Sequence, residues 1–417
     1  MHSADKDKLI NMIRPTGEQF AKIRYAGFLI FAVCVFAVYV RAQDYRTVRD
    51  GIEYAELTRD VAGQPVRMNL LRLDLRKVRL DVVHAMDAAI GTETTSSIAA
   101  RHNAIAAINS GFFRLDTSAF AGEAVGTLMI DGELLSESSR NRIALKIVNR
   151  KKLTEVSLER SVVNPWFGFG DLHFQVKLSG VDREAKDGES VLFGPEFGKT
   201  TLTAAKGTDV ILTKCARVVR KDVFHIDCRN AVVADEAANS AIPRDGYVVA
   251  LGKADSKEKK MLLYELKLYQ AGKPGQRRYT VRFENASGML PRVDEDAVAG
   301  VPQLISGGKV DVTWELEKTS KSFVETRHPR TAVAKLKDGK FLMITVDGRS
   351  ESSGGIGLYD LANLLLEFGA TDAMNLDGGG STTMFLDGRV VNHPSDKEGE
   401  RRVSDAIVVT LRYKTAK

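Results

Sequence analysis

Two aspartates stand out because of the residues on their C-terminal side. Asp-Gly occurs at eight places in the chain, and most are read as hairpin tips, where both residues accept positive φ. At Asp347-Gly348-Arg349 and at Asp377-Gly378-Gly379-Gly380 no second strand comes next at hairpin spacing. The first closes the apolar run FLMITV and leads through SESSGG into a helical stretch. The second closes AMNL and leads into Ser381, Thr382 and Thr383. Both carboxylates are expected at the C-terminal ends of neighbouring strands, where open sheets gather ligands. Asn375, two residues before Asp377, is expected on the same strand face. Successive glycines let a backbone approach a ligand closely and offer N–H groups to an anion. The pattern suits an oxygen-rich, anionic ligand; a flexible turn is the plainer alternative.

A third strand end, AIAAI running into Asn109-Ser110-Gly111, supplies an amide that can donate and accept. Arg330, in His328-Pro329-Arg330-Thr331, enters a sheet at its edge; Arg401 and Arg402 precede the last strand. An arginine can grip phosphate with a bidentate fork, although a surface ion pair is the commoner fate.

The elements that must position these residues are partly legible. Residues 68–75 and the KVRLDVVHA run read as strands, and Thr95 to Ser97 as N-caps of a short helix around Ile98 to Arg101. Residues 331–337 and 340–346 form a hairpin across Asp338-Gly339. Leu358, Leu361, Ala362, Leu364, Leu365 and Phe368 recur at helical spacing, with Gly369 as C-terminal cap, and a strand comes directly after. Strand, helix and strand suggest a βαβ-like crossover. The fold class expected is therefore α+β, a mixed α/β sheet with hairpins and that crossover in the C-terminal third. A β-rich middle portion is expected over about 150–287, and the charged run 253–260 reads as a solvated loop.

The 417 residues, 44% hydrophobic and 27% charged, belong to a folded chain rather than a disordered or multi-span one. Residues 26–40 carry no charge and come after Lys22 and Arg24, as in a secretory signal or an uncleaved signal anchor. The expected division is 1–42 as signal or anchor and 43–417 as the catalytic region, exported to a periplasmic, extracellular or membrane-anchored position facing outside the cytoplasm. Export makes a Cys215–Cys228 disulfide plausible, with two buried thiols as the alternative. The net charge of +6 hints at nucleic acid, but half of the excess lies in residues 1–42, so no nucleic-acid partner is expected. There is no P-loop and no paired metal-ligand spacing among the seven histidines. No cofactor is required by the sequence, with a structural divalent cation such as calcium left open.

Taken in order, NSGFF at 109–113, HPRTAVA at 328–334, TVDGRSESSGG at 345–355 and MNLDGGGSTT at 374–383 resemble the phosphodiester glycosidase family. Ser110 stands where the resemblance would place a second glycine. The resemblance implies hydrolysis of a sugar-1-phosphodiester, of the N-acetylglucosamine-phosphate type, in an envelope or extracellular glycan. The partner would be a phosphorylated glycan or glycoconjugate, with the membrane as a second through residues 26–40 if they are retained. In this reading Asp377 is the carboxylate at the anomeric carbon, Asp347 the second carboxylate, and Asn109 and Arg330 complete the catalytic set. Asn375, Gly378, Gly379, Gly380, Ser381, Thr382, Arg349 and Arg402 would bind substrate. The competing reading is a non-catalytic glycan-binding or envelope-structural module.

Overall fold

The computed structural model describes residues 44–412 except 139–140, 161, 170–173, 205, 221–222, 254–255, 272–277 and 286–294. The apolar segment 26–40 and its expected signal lie outside the described residues. Among those described, no helix is long and apolar enough to cross a membrane.

Antiparallel strands dominate. An eight-stranded sheet runs in the order Arg46–Arg49, Ile52–Val61, Gln64–Leu73, Phe341–Val346, Arg330–Leu336, Ala370–Asn375, Gln303–Ser306, Lys309–Val310. A five-stranded sheet has the order Arg389–Val390, Met384–Leu386, Ala106–Asn109, Asp405–Leu411, Val78–His84. Another joins Thr154–Arg160, Ile143–Asn149, Glu295–Ala299, Leu128–Ile130 and Glu133–Ser136. The inner faces of all three meet in one core, with Leu71, Met343 and Val333 from the first, Leu80, Ile108 and Ile407 from the second, and Leu145 and Val298 from the third. A separate eight-stranded sheet, spanning residues 163–285, is centred on the long hairpin Gly207–Arg220/Val223–Ala237 and has its own core.

The expected α+β class is overturned: the protein is mostly β, a curled set of sheets with four short helices among the described residues, Thr95–Arg101, Lys257–Ala271, Lys321–Glu325 and Leu358–Glu367. The helix Leu358–Glu367 does connect two strands of one sheet that run in the same direction, Phe341–Val346 and Ala370–Asn375. They do not pair, because Arg330–Leu336 lies between them, antiparallel to both. The hairpin across Gly339 fixes that arrangement: its first strand takes one side of Phe341–Val346 and leaves its other edge for Ala370–Asn375. The run expected as a loop at 253–260 instead begins the helix at Lys257.

Cys215 and Cys228 face each other across the long hairpin and are disulfide-bonded.

Candidate active site

Six strand ends converge at one end of two sheets. Ala106–Asn109, Phe341–Val346 and Ala370–Asn375 finish there, and their antiparallel neighbours Gln64–Leu73, Arg330–Leu336 and Asp405–Leu411 set out from it. Backbone bonds tie the ends together. The Asp377 N–H donates to Ser110 (2.9 Å), that of Asp347 to Arg67 (2.9 Å), and that of Leu376 to Thr331 (2.9 Å). Asp347 and Asp377 thus leave the same end of one sheet, on strands one place apart rather than adjacent.

The turn after Asp377 is shaped by what sits on its glycines. Gly378 passes so close to the Pro329 carbonyl and the Arg330 backbone that a Cβ would lie 2.7 Å from the former. Gly379 has φ +60°, and a Cβ there would be 2.9 Å from Arg349 Nη2. A Cβ on Gly380 would collide with Arg401 Nη2 and the Asp396 carboxylate. Arg401 and Asp396 form a two-point pair, Nε to Oδ2 at 2.7 Å and Nη2 to Oδ1 at 3.1 Å. The glycines are therefore needed so that the Pro329–Arg330 backbone and the Arg349 and Arg401 guanidinium groups can close on one short stretch of backbone.

Asp377 itself is half-buried. Burial lifts its carboxyl to about 6, against the opposing pull of the Ser381 hydroxyl, the Gly378 N–H (2.9 Å) and Arg401; the Asp405 carboxylate pushes it up further. Arg330 is 2% exposed and forms no ion pair among the described residues. Its Nε donates to the Ile356 carbonyl (3.2 Å) and its Nη2 to those of Phe323 (2.7 Å) and Thr326 (2.9 Å), with the Phe323 ring beneath it at 5.0 Å. Burial, and then Arg349, lower it to about 10. A guanidinium held this way among neutral carbonyls favours an added anion.

Asp347 is 2% exposed. Its Oδ1 accepts from the His393 N–H (3.0 Å) and from Asn392 Nδ2 (3.3 Å), and Asn392 also donates to the Thr382 carbonyl (3.0 Å). Oδ2 accepts no hydrogen bond and lies 3.8 Å from Arg67 Nε. Burial raises its pKa, with the His393 amide, Asn392 and Arg67 opposing. Asn392 thereby connects the Asp347 carboxylate to the segment after Asp377.

The remaining expected residues divide. Ser381 and Thr382 are buried in the turn, and their hydroxyls have no hydrogen-bond partner of regular geometry. Asn109, fully buried, donates to the Asp377 carbonyl (2.8 Å) and accepts from Thr331 Oγ1 (2.8 Å) and the Thr383 N–H (3.0 Å), so its amide joins the two sheets. Asn375 is likewise turned to backbone, donating to the carbonyls of Val301 (2.7 Å) and Leu376 (2.8 Å). Its strand ends there, so alternation does not carry through to Asp377. Arg402 is not with the others: it donates to the Thr92 carbonyl on the small pairing of Arg402–Val403 with Glu93–Thr94.

Sequence reasoning missed Asp405, which is 1% exposed. It accepts from Ser110 Oγ, from the Gly111 N–H (2.5 Å) and from Ser404 Oγ (2.5 Å). It opens the strand DAIVVTL, whose other residues are apolar except Thr410, and that lone acid was the available signal. Asn392, Asp396 and Arg67 carried no signal in local pattern. Among the described residues no three His, Cys, Asp or Glu side chains are grouped to hold a metal ion. A cavity of about 500 Å³, lined by Arg79, His84, Glu133 and Asp296 among others, includes none of these site residues.

Residues 215–410 match the family model described as phosphodiester glycosidase. A 127-residue stretch is 35% identical to N-acetylglucosamine-1-phosphodiester alpha-N-acetylglucosaminidase of Bos taurus, covering 27% of this chain and 24% of that protein. A 94-residue stretch is 39% identical to the SPbeta prophage-derived uncharacterized protein YomE of Bacillus subtilis (strain 168), covering 22% of this chain and 14% of that one. The chain thus spans less than a quarter of the length of either relative. The fold is shared with a hypothetical protein from Synechocystis, TM-score 0.67 at 20% identity, over 89% of this chain and 64% of that one. Residues 215–410, the part of the chain similar to the phosphodiester glycosidase family, carry Arg330, Asp347, Arg349, the Asp377 turn and Arg401.

Proposed function

We propose that the chain is an exported hydrolase of a sugar-1-phosphodiester in an envelope or extracellular glycan, with Asp377 as the carboxylate at the anomeric carbon. The observation that carries this reading is the turn Gly378–Gly380, packed against the Arg330 backbone and the Arg349 and Arg401 guanidinium groups, beside that carboxylate. A phosphodiester leaves readily, so the demand on the protein is to stabilise the oxocarbenium-like centre and the charge gathering on phosphate. One half-buried carboxylate and the Arg349 and Arg401 guanidinium groups on the turn supply the two signs of charge at adjoining places. Asp347, being buried, holds Asn392 and His393 in this reading, and Asn109 and Asn375 hold the strand ends. Export is supported by the Cys215–Cys228 bond, which persists in oxidising compartments, and by the uncharged segment 26–40.

The test is release of sugar from a panel of sugar-1-phosphodiesters, with the anomer of the product followed by NMR. Asp377→Asn should lower kcat by about 10³-fold or more with the fold retained. Asp347→Asn, which keeps the acceptor for the His393 N–H, should lower it less. Binding of the panel without release by the wild-type protein would replace the enzyme reading with a glycan-binding one.

A further inference from the structure

The helix Lys257–Ala271 is apolar on two sides. Leu262, Leu263 and Leu266 pack into the core of the residue 163–285 sheet, and Lys259 on that side donates to the Gly188 carbonyl (2.9 Å). The opposite side carries Met261, Tyr264 and Leu268, which are 53%, 62% and 51% exposed. Their spacing of three and four residues lines them up on one face. No other helix among the described residues exposes more than one large apolar side chain. At 100° per residue, Lys257 lies on the stripe itself, Lys260 and Lys267 along one flank, and Glu258 and Glu265 along the other. Lys267 is paired with Asp235 (2.7 Å), whereas Lys257 and Lys260 form no ion pair among the described residues. Beside Met261 a groove of about 300 Å³ opens between the helix and the strand Phe174–Lys177, lined by Phe174, Gln175 and Leu262 together with Lys257 and Glu258.

We propose that this face docks on a membrane surface bearing anionic headgroups, with Met261, Tyr264 and Leu268 entering the boundary between headgroups and acyl chains. Three side chains make too small a patch for a stable protein interface, which buries on the order of 1,000 Å² or more. They suffice for a helix lying in the plane of a bilayer, where shallow insertion and basic side chains act together. A tyrosine, apolar in body and polar at its tip, suits that depth. Lys257 and Lys260 supply the complementary charge to lipid phosphate. The helix has 15 residues, so it lies on the membrane rather than crossing it. The run of charges that begins at Lys253 then has a purpose at its helical end, which composition alone would assign to solvation.

The full chain bearing Tyr264→Trp tests this locally, which matters because residues 26–40 could bring the protein to a bilayer by another route. Fluorescence would be read in vesicles of brominated phosphatidylglycerol and of brominated phosphatidylcholine, with the signal of Trp166 and Trp314 subtracted using the unsubstituted protein. Quenching of the added indole is expected with phosphatidylglycerol and little with phosphatidylcholine. Lys257→Glu together with Lys260→Glu, both exposed and outside the core, should weaken it by about tenfold or more. No quenching in either vesicle would overturn the proposal, as would equal quenching in both that the lysine reversals leave unchanged. Self-association in sedimentation that Leu268→Glu abolishes, without lipid quenching, would assign the face to a second copy of the chain instead.

Discussion

At the scale of single residues, the site turns on which side chains reach the glycine turn and in what ionic state. Asp377, with its carboxyl lifted to about 6 by burial, acts in the proposed mechanism as the anion. Its working form is therefore lost as pH falls through about 6, and kcat/KM should rise across that point and then level. A profile that instead falls from pH 5 to 7 would make Asp377 a proton donor. The pair Arg401–Arg402 gives a sharper contrast. Arg401 crosses Gly380 in its bond with Asp396, whereas Arg402, the next residue, turns to the Thr92 carbonyl. Arg401→Ala should reduce kcat/KM by about 10²-fold if it meets the phosphate charge, and Arg402→Ala should change it less than threefold, both read in the same assay. Choosing between two adjacent arginines requires knowing which way the chain faces, and a two-residue strand has too little alternation to show it. Asp377 and Asp347 were legible because each closes a strand-like run, and Arg330 because it opens one. Asp405 was hidden because its importance comes from Ser110 and Gly111, nearly 300 positions earlier in the chain.

At the scale of elements, local signals held where one element explains itself. The helix Leu358–Glu367 and its Gly369 turn match the apolar spacing, and Thr94 caps Thr95–Arg101 by accepting from the Ser97 N–H (3.3 Å), one residue before the expected caps. Pairing across the sheet was not legible, since nothing local records that Arg330–Leu336 would intervene between two strands joined through a helix. The same limit applies to charge runs: Lys257 to Lys260 look solvated until Leu262, Leu263 and Leu266 are seen to bury the far side of their helix. In the long hairpin, pairing and covalent chemistry coincide. Cys215 lies opposite Cys228, 13 positions on. Closing so short a loop contributes at most about 3 kcal/mol through the unfolded chain, and less here because the flanking pairs already restrain both strands. Cys215→Ala with Cys228→Ala should thus lower stability by roughly 1–3 kcal/mol in denaturant unfolding, while turnover by the distant strand-end site stays within twofold. Loss of turnover in a variant that still unfolds cooperatively would tie the hairpin to the site.

At the scale of the whole molecule, the sheets bury more acid than they neutralise, and this sets the pH at which the fold is most stable. Burial lifts Glu133 to about 7, with Arg217 opposing and Glu196 adding to the rise. It lifts Asp296 to about 7 as well, although the Asp131 and Val82 amides bond it at 2.8 Å each. With Asp377 at about 6, three carboxyls ionise later in the native state than the value near 4 of an unfolded chain. Between those values the native protein holds more protons than the unfolded one, so stability falls as pH rises from about 4 to 7. Glu93 works in the other direction. Burial alone would raise it, but bonds from Arg101, the Met86 amide and Ser97 bring it to about 2; the stability it contributes is present above about pH 4.5 and lost as pH falls toward 2. The two trends cross near pH 4. Calorimetric Tm should therefore be highest there and decline by several degrees by pH 8, with the larger part of the decline between about pH 4.5 and 7. A Tm that is flat or rises over that interval would mean that Glu133 and Asp296 are ionised throughout, and that the cavity they line admits enough water to solvate them.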